Sequence, residues 1–140
     1  MIELDNRTSH DVDLDSLEKI ADTLTEEMIE LIITDDKEIQ RYNKEFRQID
    51  KATDVLSFPY EPMPMSPLGS IIISYEHAMT VSKRLGHSPD DEMALLFIHG
   101  ILHLLGYDHE VDSGEMRQRE RELIEQFSLP VSLIVRTEGS

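Results

Sequence analysis

The stretch Met93-Ala94-Leu95-Leu96-Phe97-Ile98-His99-Gly100-Ile101-Leu102-His103-Leu104-Leu105-Gly106-Tyr107-Asp108-His109 decides how this 140-residue chain is arranged. Its apolar residues fall on nearly every side of a helix, and such a helix belongs in the middle of a domain. Ser88-Pro89 opens it, with serine as the cap and proline at the first helical position. Asp90, Asp91 and Glu92 follow where the helix dipole favours negative charge. Gly106 accepts φ > 0 and ends it.

Two imidazoles interrupt this apolar helix. His99 and His103 are four residues apart, so both project from one face about one turn apart. The turn at Gly106 can bring His109 back toward them. Burying imidazoles costs free energy unless they are satisfied, and a metal satisfies them. Two helical ligands and one from the next loop make a three-histidine site with an open fourth position, the composition of a catalytic zinc centre. Zinc is therefore the expected metal, although nickel, iron and copper also accept imidazole. The spacing matches the metzincin pattern H-E-x-x-H-x-x-G-x-x-H at all three histidines and the glycine. It departs at the glutamate that acts as general base in those peptidases. That position is Gly100, which cannot move a proton. The residues thus read as a metal-dependent hydrolase, with a metzincin-like metallopeptidase as an alternative that Gly100 disfavours.

A chain of this length predicts one domain over residues 1–140, with 1–8 and 129–140 peripheral. Hydrophobic content of 39% and charged content of 30% suit a soluble globular protein. No run approaches the roughly 18 apolar residues of a membrane span. Met1-Ile2-Glu3-Leu4-Asp5 lacks the pattern of a signal peptide. With no cysteine, ligands must be His or carboxylate. A cytoplasmic monomer is the simplest expectation.

Thirteen Lys and Arg against 29 Asp and Glu give a formal charge of −16, which by itself argues against nucleic acid. The stretch 37–51 differs. Lys37, Arg41, Lys44, Arg47 and Lys51 stand there against Glu38, Glu45 and Asp50. At 100° per residue, Ile39, Tyr42, Phe46 and Ile49 share one sector of a helix and the basic residues the opposite one, if the helix persists that far. The apolar stripe reads as core. The basic stripe reads equally well as a solvated face or as a local positive surface for phosphate.

Elsewhere the pattern predicts strands at 1–6, 31–33, 53–58 and 70–74. The last two are expected to pair antiparallel across a Pro- and Met-rich loop at 61–69. Helices are expected after a cap at Asp15 or Ser16, after Asp35-Asp36, from Ser74 to Leu85, in the buried stretch, and from Ser113-Gly114 to Phe127. Residues 131–135 are apolar and suited to docking. Four strands and five helices give a single α+β (α/β-like) domain with a mixed sheet and the metal site at the C-terminal end of a buried helix.

The motif from His99 to His109 resembles the H-G-x-L-H-L-x-G-Y-D-H signature of the YbeY family of bacterial endoribonucleases. Thr53-Asp54-Val55-Leu56-Ser57-Phe58-Pro59 is similar to that family's second motif, and Leu68-Gly69 to its third. The resemblance extends from about Leu31 to Phe127. It implies a zinc-dependent, single-strand-specific endoribonuclease in ribosomal RNA maturation, including the small-subunit 3′ end, and in ribosome quality control. The small ribosomal subunit is then a partner, and no DNA is expected. His99, His103 and His109 match the family's metal ligands and Arg47 its functional arginine. Ser70 departs from the aspartate usual after Leu-Gly.

Several roles stay open on the residues alone. Arg47 can hold a phosphate with its planar fork or make a surface ion pair. Asp108 can orient a ligand imidazole, take part in proton transfer or cap the turn. The remaining histidines, His10, His77 and His87, read as surface or packing residues. A non-catalytic, ribosome-associated module with a structural metal is the other alternative.

Overall fold

The alternation of Ile71, Ile72 and Ile73 organises two packing layers. In the computed structural model, which describes residues 1–108 and 110–130, β1 (Ile2–Asn6), β2 (Ile29–Thr34), β3 (Val55–Pro59) and β4 (Gly69–Ser74) form one sheet in the order β1-β2-β4-β3. β1, β2 and β4 run parallel, and β3 pairs antiparallel with β4, with Val55 opposite Ile73 and Ser57 opposite Ile71. Because side chains alternate across a strand, Leu31, Ile33, Ile71 and Ile73 enter one core while Ile32, Ile72, Leu56 and Phe58 enter the other.

The larger core is closed by α1 (Leu14–Leu24), α3 (Tyr75–Leu85), α4 (Pro89–Leu104) and α5 (Glu115–Gln126). The smaller is closed by α2 (Asp36–Arg47) through Ile39 and Tyr42. This is the expected α+β domain with a mixed four-stranded sheet and five helices.

α4 is the central helix. Met93 to Ile98, Ile101 and Leu102 are buried in it, and Ser88 caps it by accepting the Asp91 N–H at 3.1 Å. Its close approach to the sheet explains Gly100: a Cβ there would sit 3.0 Å from the Ile71 side chain. The residue that removes the peptidase base is therefore a contact between helix and sheet. At 16 residues α4 does not span a bilayer, and no helix among the described residues is long and apolar enough to do so.

Two local expectations are corrected. The cap of α1 is Asp13, whose carboxylate accepts the Ser16 N–H at 3.3 Å, so Asp15 and Ser16 lie within the first turn. α2 ends at Arg47, because Gln48 adopts a left-handed conformation with φ 59. The buried Asn43 side chain then donates to the Lys51 carbonyl at 2.9 Å and folds the chain back. Ile49 and Lys51 therefore lie beyond the helix, and Phe46 and Ile49 are 56% and 50% exposed instead of packed in the core. His109 and residues 131–140, which include the expected third ligand and the apolar docking segment, lie outside the described residues.

Candidate metal centre and cleft

The i, i+4 spacing on α4 brings His99 and His103 together as predicted. Their ring centroids are 4.6 Å apart with planes at 78°, and their Nε2 atoms are 3.0 Å apart. The opposite nitrogen of each ring faces an acceptor. His99 Nδ1 lies 2.8 Å from Glu120 Oε1 and His103 Nδ1 lies 3.0 Å from the Tyr107 carbonyl. A carbonyl only accepts, so His103 carries its proton on Nδ1. The Glu120 carboxylate imposes the same tautomer on His99. With both rings neutral, each turns an Nε2 lone pair toward one point. Two lone pairs at that distance repel unless a cation lies with them, which is how neighbouring carboxylates and carbonyls prepare histidines for metals.

The turn after α4 supplies one of these acceptors. Gly106, at φ 100, lets the Tyr107 N–H reach the Leu102 carbonyl at 2.9 Å and its own N–H reach His103 O at 3.0 Å. This paired closure of a helix end uses the glycine's left-handed freedom. It also folds the Tyr107 carbonyl back over His103. The sequence motif therefore encodes both imidazoles and the backbone that orients one of them.

Glu120 was not legible as a site residue. It comes from α5, 21 residues after His99, and is only 4% exposed. The available signal was a carboxylate within the apolar stripe of Met116, Leu123 and Ile124, all fully buried. A charge in such a stripe needs a partner, and His99 is one.

The donor set fits a divalent transition metal. A tetrahedral ion with Zn–N bonds of about 2.0–2.1 Å separates two ligand nitrogens by about 3.3 Å, within a few tenths of the observed spacing. Among the described residues no cluster of three or more His, Cys, Asp or Glu converges as a metal site, and the candidate donors are the two imidazoles of His99 and His103.

These histidines open into a cleft of about 530 Å³ between the C-terminal end of α4 and the edge strand β3. Arg47, the last residue of α2, reaches it around that edge. Its Nη2 donates to the Ser57 carbonyl at 2.8 Å, and its guanidinium lies 5.4 Å from the Phe58 ring. One of the five donors of the fork is thereby committed to fixing its position. Thr53, Asp54 and Asp108 also line the cleft. Asp54 accepts the Val55 N–H at 2.8 Å, which sets the start of β3.

Asp108 accepts the Glu110 N–H at 3.0 Å, the turn-capping role among those open to it. Ser70 is 8% exposed on the α2 side of the sheet opposite Phe58, away from the cleft lining. The other histidines lie apart from this site. His10 stacks on Tyr75 at 4.2 Å, His77 lies 3.6 Å from Asp36, and His87 forms a buried pair with Glu92 at 2.8 Å.

Comparison with known proteins identifies the family. Residues 3–128 match the family described as Endoribonuclease YbeY. The chain is 60% identical to the Endoribonuclease YbeY of Sulfurimonas denitrificans, over 99% of this chain and 100% of that one. It is 55% identical to that of Helicobacter pylori, over 99% of each. Among solved structures it is similar to the solution structure of TM1509 from Thermotoga maritima, with a TM-score of 0.63, 26% identity and coverage of 91% and 89% of the two chains. A family match over most of the chain, full-length relatives and a shared fold leave one assignment: the chain belongs to the YbeY family.

Proposed function

We propose that the chain is a metal-dependent endoribonuclease that cleaves single-stranded RNA in the cleft between α4 and β3. The observation that carries this reading is the convergence of the His99 and His103 Nε2 atoms, with tautomers fixed from behind, in the cleft that Arg47 enters. The relatives' shared name, Endoribonuclease YbeY, supports the reaction class. His109 is the third ligand in this reading, and zinc the metal. The chemistry such an ion supplies is Lewis-acid stabilisation of developing charge and a lowered pKa for water. Family membership supports ribosomal RNA as the substrate, with maturation of the small-subunit 3′ end and ribosome quality control as the task. The small subunit is the partner, and the protein works as a cytoplasmic monomer.

The chain's own residues would divide the work as follows. Arg47 binds a non-bridging phosphate oxygen with the donors that do not hold Ser57. Arginine suits this because its planar fork matches two phosphate oxygens at once. Glu120 and the Tyr107 carbonyl hold His99 and His103 in the required tautomer. Gly100 places no carboxylate at the position a metallopeptidase uses, since it faces Ile71.

The test compares wild type, Arg47→Ala and His103→Ala, purified identically, by metal analysis and cleavage of single-stranded RNA. The expected result is one metal per chain, cleavage lost in both variants, and metal lost only from His103→Ala. Equal residual cleavage in all three would identify a contaminating nuclease and favour a structural metal in a ribosome-associated module.

A further inference from the structure

The basic segment at 37–51 does more than supply Arg47. Phe46 is 56% exposed on α2, yet its ring is held on two sides. Tyr42, one turn earlier, lies near-parallel at a centroid distance of 6.0 Å and 17°. Phe58 of β3 meets it edge-on at 5.7 Å and 64°. Cations cover both ends of this aromatic row. Arg41 lies 4.7 Å from the Tyr42 ring and Arg47 lies 5.4 Å from the Phe58 ring. Arg47 also lines the cleft, so the row leads directly to the candidate catalytic centre.

An exposed phenyl gains little for folding, and a chain of charge −16 has few positive surfaces. Here the two coincide. The acids nearby compete weakly. Arg41 meets Glu45 at 3.5 Å and Lys44 meets Asp50 at 3.9 Å, each of these side chains more than half exposed, and Arg41 also lies 4.0 Å from Glu38, whose carboxylate is already engaged by Arg7 at 2.6 Å. Such surface pairs contribute little, so phosphate can replace them. A row of three aromatic rings at centroid steps of 5.7–6.0 Å with a guanidinium at each end offers faces for flat bases and charges for the phosphates on either side of them. A base inside a duplex already has both faces stacked, so the complement is a single strand.

We propose that Phe46, framed by Tyr42 and Phe58 and flanked by Arg41 and Arg47, is a stacking platform for an unpaired nucleobase of RNA entering the cleft. The proposal rests on the endoribonuclease reading and adds a binding site to it. Phe46 is a binding residue here, outside the reacting atoms. Its pre-held ring loses little rotamer freedom when a base covers it.

The experiment measures binding of a short single-stranded 2′-O-methyl RNA carrying one 2-aminopurine, whose fluorescence falls on stacking. An abasic oligonucleotide of equal length and charge is the control. Full-length wild type, Phe46→Leu and Phe46→Trp are compared over a range of salt. Stacking on an aromatic side chain is worth about 5- to 150-fold in affinity. Phe46→Leu should weaken the RNA by a factor in that range and lose the quenching. It should leave abasic binding and the salt slope unchanged, because no charge is removed. Phe46→Trp should retain or strengthen both signals. Equal RNA affinity and quenching in wild type and Phe46→Leu would overturn the platform while the RNA reading stands. Equal weakening of both oligonucleotides would do the same. Wild type that binds neither oligonucleotide would overturn the platform and the RNA reading together.

Discussion

Replacing Glu120 with leucine separates orienting the proposed metal ligand His99 from holding the fold. Glu120 is 4% exposed among Met116, Leu123 and Ile124, and its carboxylate lies 2.8 Å from His99 Nδ1. A leucine there joins an existing apolar stripe and relieves a buried charge. Removing one partner of a buried pair leaves the other without its acceptor, which costs about 1–3 kcal/mol. Burial of the leucine offsets part of this, so the unfolding midpoint of the metal-free protein should fall by no more than that amount. The His99 ring, however, loses the acceptor that fixes its tautomer. Removing such a partner typically costs 10- to 100-fold in metal affinity, or about 1.4–2.7 kcal/mol. Glu120→Gln keeps an acceptor and drops the charge, so it should fall near the lower end and Glu120→Leu near the upper. The assay is zinc competition against a chromophoric chelator, with urea unfolding of the metal-free proteins in parallel. Wild-type affinity in Glu120→Leu would refute the positioning role. So would an affinity loss that only tracks a loss of stability.

Gly69 should resist any side chain, since a Cβ would lie 2.5 Å from the Phe58 carbonyl and 2.6 Å from Leu104. Gly69→Ala is expected to cost about 1–3 kcal/mol by overpacking, read as a lower urea midpoint; an unchanged midpoint would refute the close approach. The Arg7 hydrogen bond is the chief reason the Glu38 carboxyl is held below its ordinary 4.5, with burial opposing and Thr34 assisting. A lowered folded-state pKa stabilises the protein above the unfolded value, and that contribution disappears as pH falls through the folded one. The stability deficit of Arg7→Met should accordingly be full at neutral pH and shrink below about 4.5, and urea titrations giving a pH-independent deficit would refute it.

Much of this protein is legible in order along the chain. Ser88-Pro89, Ser74 and the glycines at 86 and 106 mark helix ends because capping acts within four or five residues. The His99–His103 face follows from helical pitch alone. The pairing of β3 with β4 follows from two short apolar runs on either side of a turn-rich loop, and the register agrees. Where local rules compete, the reading slips. Three acceptors stand near the start of α1, and the geometry of one turn selects Asp13. Nothing in the periodicity of 37–51 shows that Asn43 will anchor Lys51 and end the helix at Arg47.

Sequence by itself determined the elements, the buried central helix and the pair of imidazoles on it, because those depend on spacings of two to five residues. Tertiary structure alone decided what stands behind and beside the imidazoles. Glu120 reaches His99 only because α5 packs on α4, and Arg47 reaches the cleft only because α2 ends at the edge of β3. Gly100 likewise shows its role only when α4 lies on Ile71. Such contacts join residues on separate elements, through packing that no local pattern encodes.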